Sequence, residues 1–187
     1  MNVKGKRELL MKSLLVFYNS NPKQNVKVLR AIVEQKSVIS LRLLEWFVTN
    51  FSKQNNVIYK AGGARIFNVY IDYKNQLRAY SKKLFDPFCR RQRLFVRVDP
   101  ETHSILDYTE TQPAVMTDDI IVTTTGQMNF FRWAIENNVA SYVLKNQEAI
   151  EADMTHRYVK GAQKRKREII STITGINHNR VKGVIRW

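Results

Sequence analysis

Few side chains in this sequence could do covalent chemistry. Cys89 is the single cysteine, and it stands in Leu84 to Val98, "LFDPFCRRQRLFVRV", directly before Arg90 and Arg91. Adjacent guanidinium groups favour the thiolate, which is the nucleophile of cysteine chemistry. A histidine base would complete such a site, but His103, His156 and His178 are widely scattered. One cysteine and three scattered histidines also fall short of the four closely spaced ligands of a structural zinc site. A lone cysteine among Phe85, Pro87 and Phe88 is more simply a small packing residue, and that is the expected role.

Two further groups have the right residue types in the wrong arrangement. Asp118-Asp119 could hold Mg²⁺, which favours one or two carboxylates together with phosphate. Adjacent strand residues point to opposite faces, however, so a turn or edge role is expected. Lys60 to Arg65, "KAGGAR", has the glycine pair of a phosphate-binding loop. It lacks the G-x-x-x-x-G-K-[ST] pattern, no helix evidently follows it, and a tight turn is expected. No set of acid, base and electrophile converges. The expectation is a protein that is not an enzyme, with no catalytic residue, no metal and no cofactor.

The elements that would position these residues follow from periodicity. Glu8 to Tyr18 reads as a helix closed by Asn19-Ser20-Asn21-Pro22, and Val26 to Glu34 as a shorter one. Ser40 opens a third, with Leu41, Leu44, Val48 and Phe51 at helical spacing. Phe67, Val69, Ile71 and Tyr73 alternate with polar neighbours and predict a half-buried strand, with a turn at Lys74-Asn75-Gln76 into a second strand, Leu77 to Ser81. Arg93 to Val98, "SILDY" and "DIIVTT" are further strand candidates. Thr124 and Gln127 form a capping box before the apolar run of "TTGQMNFFRWAIENN". Asn137-Asn138 ends or kinks that helix, a second runs over Val139 to Met154, and "EIISTITG" with "RVKGVIRW" suggests a closing hairpin.

The fold class expected is α+β: N-terminal helices, a mostly antiparallel sheet, a helical pair and a C-terminal hairpin. Residues 1–56 form a helical N-terminal segment, and 57–187 an α+β core with a basic run at 160–168. The N-terminus is basic and then apolar, as a signal peptide would be. Lys12 interrupts it and no cleavage site follows, so an amphipathic helix is expected. No run approaches the ~20 apolar residues of a membrane span.

Charge is the unusual property. Thirty-one Lys and Arg face sixteen Asp and Glu, a net charge of +15. Residues 1–100 hold twenty basic and six acidic side chains, 101–159 three and nine, and 160–187 eight and one. Segregation of this kind implies distinct faces, which suits a protein touching more than one partner. On a strand, Cys89, Arg91, Arg93, Phe95 and Arg97 would share one face, with Leu94, Val96 and Val98 packed on the other. Guanidinium groups with an interleaved aromatic grip phosphates and stack on bases, and they equally meet carboxylates of a protein neighbour. A merely solvated outer face carries equal weight, since one face of such a strand is ordinarily wet. The candidate interaction residues are Arg90, Arg91, Arg93 and Arg97, with Lys164, Arg165, Lys166 and Arg167 of the run "KGAQKRKRE".

"FDPFCRR" and "TTGQMNFFRWAIENNVASYV", followed by "KRKRE" and the closing hairpin, resemble a family of small basic proteins of large nucleocytoplasmic DNA viruses, of the iridovirus, marseillevirus and algal-virus kind. The resemblance covers roughly residues 65–187. It implies a virion component without a catalytic role, with Phe85 to Arg91 and Gly126 to Val139 as fold determinants. The reading that follows is a non-enzymatic minor capsid or virion structural protein in a large assembly, docking its basic faces on neighbouring capsid proteins. The alternative is a nucleic-acid-binding protein of genome packaging or viral transcription. Either places the chain in the virion, and in host cytoplasm or nucleus during assembly.

Overall fold

The computed structural model describes residues 3–62, 65–90 and 92–158. Helix α1 (Val3–Ser20) buries Leu10, Met11, Leu14 and Tyr18, the stripe that helical spacing sets on one face. Helix α2 (Pro22–Val33) starts on Pro22, whose missing N–H costs nothing at a first turn, and buries Val26, Leu29 and Ile32. Ser40 caps α3 (Leu41–Trp46), its hydroxyl accepting from the Leu43 N–H at 3.1 Å. The chain continues through a π-helical turn, Phe47–Phe51, into the short α4 (Ser52–Gln54).

Strands β1 (Ile58–Ala61) and β2 (Arg65–Asn68) form an antiparallel hairpin, followed by the long helix α5 (Val69–Leu84). Strand β3 (Leu94–Val98) is the centre of a three-stranded antiparallel sheet between β4 (Ile105–Thr109) and β5 (Ile120–Thr123). Helices α6 (Thr125–Glu136) and α7 (Val139–Lys145) follow, and residues 147–158 are helical. The architecture is α+β, as expected. One core runs from Leu10 on α1 through both sheets to Ile150. The expected closing hairpin and the run Lys164 to Arg167 lie outside the described residues.

The strand expected over Phe67 to Lys74 is a correction. Only residues 65–68 are extended, and both the expected turn at 74–76 and the strand Leu77 to Ser81 lie within α5. Two local forces outweigh the alternation. The Asn68 side chain accepts from the Ile71 N–H at 3.0 Å and so caps a helix start. Val69 and Tyr73, four residues apart, are buried together, while Ile71 stands exposed. The second helix after Asn138 is also interrupted, stopping at Lys145 before it resumes. Asn138, at φ 54°, makes the break between α6 and α7. Strand β1 was not expected at all.

Helix α6 sits at the centre. Its Thr124 cap accepts from the Gln127 N–H at 3.0 Å, which is the first half of the expected capping box, while the Gln127 side chain turns to Thr123 and Pro87 instead of back to the Thr124 N–H. The end of α5 presses against it. Ser81 has φ 57° and ψ 170°, which breaks the helix and turns the chain across the start of α6. Gly126 permits that approach, because a Cβ there would lie 3.0 Å from the Lys83 carbonyl oxygen. Gly126→Ala is therefore expected to lower unfolding free energy by about 1–3 kcal/mol, read as a lower urea midpoint. An unchanged midpoint would mean that the two segments are not held this closely.

Candidate functional site

The interlock of α5 with α6 brings basic side chains of α1 and α5 together at the start of α6. Lys6 on α1 donates to the Ala79 carbonyl at 2.6 Å, tying the start of α1 to α5, and its ammonium lies 5.7 Å from the Tyr80 ring centroid. Arg7 bridges further. Its Nε donates to Thr125 Oγ1 at 3.2 Å, and its Nη1 lies 2.8 Å from both Gln92 Oε1 and Glu110 Oε1. Between these elements opens a recess of about 680 Å³, walled by Lys6, Arg7, Arg78 and Lys83 with Tyr80 and Thr125.

The charge in this recess is uneven. Among the described residues, Arg7 alone of the four cations has a carboxylate, Glu110; Lys6 meets a carbonyl. Among the described residues, Arg78 and Lys83 have no acidic partner. Outward from the recess, exposed Lys74 precedes Arg78 by one helical turn, and exposed Lys82 follows the break at Ser81. No acidic residue occurs between Asp72 and Asp86. Asp72 itself turns inward, its Oδ1 accepting from Trp133 Nε1 at 2.7 Å. The result is a positive face whose field lines concentrate in a concavity.

The arginines singled out by sequence are placed differently. Strand β3 begins only at Leu94, so the alternation does not reach back to Cys89. Phe95 is buried with Leu94, Val96 and Val98, leaving Arg97 as the exposed residue of the strand. Arg97 pairs across the sheet with Asp107. Arg90 lies 3.4 Å from Asp86 and 3.6 Å from Glu45, and its guanidinium covers the Phe88 ring at 4.4 Å. Arg93 is exposed, and Arg91 lies outside the described residues. Arg90 and Arg97 thus spend much of their attraction within the chain.

Other candidate groups stand apart from the recess. Asp119 is half-buried, and its carboxyl is held below the usual carboxylate range by a hydrogen bond from Thr117, with Arg97 and Arg30 adding weaker attraction. Asp118 offers its backbone carbonyl to Arg30. Among the described residues, no three His, Cys, Asp or Glu side chains gather where they could hold a metal ion. None of the described helices is long and apolar enough to cross a membrane. Lys6, Arg7, Arg78 and Lys83 were not singled out by sequence, because a strand reading of 67–81 scatters Lys74 and Arg78. Read as a helix, the same segment shows basic residues one turn apart and no acid among them.

Comparison with known proteins adds kinship. A family model described as a family of unknown function (DUF7197) matches residues 2–182, so it takes in the N-terminal helices that the resemblance left out. The chain is similar to Uncharacterized protein L507 of Acanthamoeba polyphaga mimivirus, with 35% identity over 153 residues. That match covers 80% of this chain and 54% of the relative, so the chain spans about half the length of the curated protein it matches. It is kin to a protein of a large DNA virus, the coarser part of what the resemblance implied. No solved structure matches it.

Cys89 is half-buried, and burial raises its thiol pKa, while the positive charge of Arg93 is the smaller, opposing influence. A raised pKa leaves less thiolate at neutral pH, so alkylation by iodoacetamide at about pH 7 should run slower than for an unhindered peptide thiol. Arg93→Ala removes the opposing charge and should slow it further. Alkylation faster than the peptide's would reveal an activated thiol.

Proposed function

The chain belongs to that family of unknown function, and from this premise we propose that it is a non-enzymatic viral protein that binds nucleic acid through the basic face where α1 meets α5. The observation that carries the reading is the placing of uncompensated charge. Lys6, Lys74, Arg78, Lys82 and Lys83 have no carboxylate partner among the described residues, whereas Arg90 and Arg97 are paired with the chain's own acids. Phosphates approaching the face would displace condensed counterions, a favourable term that depends on salt and not on base sequence. Lysine and arginine on a helix and at its end supply that kind of contact.

A second reading, the minor capsid or virion structural protein that docks on neighbouring capsid proteins, has its own support. The outer face of the β1–β2 hairpin leaves Ile58 50% and Ile66 75% exposed, and Ile71 at the start of α5 is 58% exposed. Apolar side chains of this kind have no use in phosphate contact and would serve as anchors against a protein neighbour. The two readings differ in which residues matter.

The test is a salt titration of a fluorescent oligonucleotide with the full chain. Lys74→Ala and Lys82→Ala should each reduce the slope of log K against log salt by about 0.7–0.9. Arg97→Ala, which removes a cation already paired with Asp107, should leave the slope unchanged. Equal slopes for all three variants and the parent, or no binding at about 50 mM salt, would overturn the nucleic-acid reading and leave the capsid contact in its place.

A further inference from the structure

The basic face is not flat, and the recess in it is more than a continuation of a phosphate track. Internal phosphodiesters of a strand pass over a surface in two directions and carry one charge each. A terminal phosphomonoester ends the chain, enters a recess, and carries close to two charges near neutral pH. We infer that the recess between α1 and α5 takes a terminal phosphomonoester, from the phosphorylated end of a nucleic-acid strand or from a free nucleotide. The first source rests on the nucleic-acid reading above; the second does not.

Three properties of the recess support this. Its volume, about 680 Å³, is that of a small-ligand pocket. Four cations wall it, and among the described residues only Glu110, paired with Arg7, offsets them, so a dianion entering it meets unbalanced positive charge. Lys83 and Arg78 are exposed and free of acidic partners among the described residues, so neither must break an ion pair to engage it.

Thr125 adds an oriented donor. It is only 3% exposed, and its Oγ1 accepts from Arg7 Nε at 3.2 Å. Its own hydroxyl proton has no acceptor among the described residues and is available to a ligand oxygen in the recess it lines. The backbone N–H groups of Thr125 and Gly126, at the first turn of the twelve-residue α6, have no intrahelical acceptor and add to the positive potential. Tyr80, half-buried in the wall beside Leu84, offers a ring against which the nucleoside next to the phosphate can stack.

The experiment uses the full chain and one short oligonucleotide phosphorylated at its 5′ end, at its 3′ end, or at neither, at fixed moderate salt. A terminal phosphate should tighten binding about tenfold, the scale of one charge-assisted contact. Lys83→Gln should bring that ratio below about twofold, and so should Arg78→Ala, an exposed-site change that guards against a folding defect. Adenosine 5′-monophosphate as competitor separates the sources. Competition confined to the phosphorylated strands, with millimolar adenosine 5′-monophosphate, assigns the site to free nucleotide as well; none assigns it to the strand end. Equal affinities with and without terminal phosphate overturn the inference while the basic-face reading stands. Saturable nucleotide binding lost in Lys83→Gln, without any strand binding, retains the recess and removes the face. Absence of both removes the two together.

Discussion

Helix α6 is buried on nearly every side, and the need to satisfy its polar groups without water organises the rest of the molecule. Thr125, Gly126, Gln127, Asn129 and Trp133 are all less than a tenth exposed, as are Met128, Phe130, Phe131 and Ala134 beside them. The buried polar side chains reach the segments around the helix. Gln127 donates to the Pro87 carbonyl at 2.9 Å and accepts from Thr123 Oγ1 at 2.9 Å. Asn129 donates to the Leu84 carbonyl at 2.8 Å, and Trp133 to Asp72. The Tyr18 hydroxyl donates to the Met128 carbonyl at 2.8 Å; its burial pushes the phenol pKa far up and keeps it a neutral donor. Leaving any of these groups unpaired in the core would cost about 1–3 kcal/mol, so α1, α5, the sheet and the loop 84–87 are each pinned in place.

The aromatic packing follows the same plan. Phe85 meets Phe130 at 5.3 Å between ring centroids and Trp133 at 5.6 Å, and Tyr73 joins from α5. "FDPFCRR" and "TTGQMNFFRW" are therefore the two halves of one joint, with the Asp86 N–H also donating to the Gly126 carbonyl. The joint explains where the charge goes. With Asp72 and Asp86 drawn inward or toward Arg90, the outer side of α5 keeps its cations and loses its acids. A requirement of folding thus leaves a basic face at the one place where α1, α5 and α6 converge.

Much of this was legible in the sequence, and the failures have physical causes. The helix start at Thr124, the helix start at Ser40 and the three strand candidates between Arg93 and Thr124 have strong local signatures, and each is present. The segment 67–81 misled because its apolar residues satisfy both periods: Phe67, Val69, Ile71 and Tyr73 alternate, yet Val69 and Tyr73 also share a helical face. Asn68, read as an outward strand residue, is the cap that decides between them. The basic recess was invisible for a related reason, since Lys6 and Arg7 lie far in sequence from Arg78 and Lys83 and meet them only once α1 packs beside α5. The arginines near Cys89 looked free because carboxylates at Glu45 and Asp107 lie far from Arg90 or across a turn from Arg97.

The central claim is that the face joining α1 to α5 is the binding face. Lysine-directed acetylation read by mass spectrometry, with and without a bound oligonucleotide, tests it most directly. The account predicts protection of Lys6, Lys74, Lys82 and Lys83, with Lys23 and Lys27 on α2 modified equally in both states. Unchanged modification of those four lysines, in a sample where the oligonucleotide is bound, would contradict it.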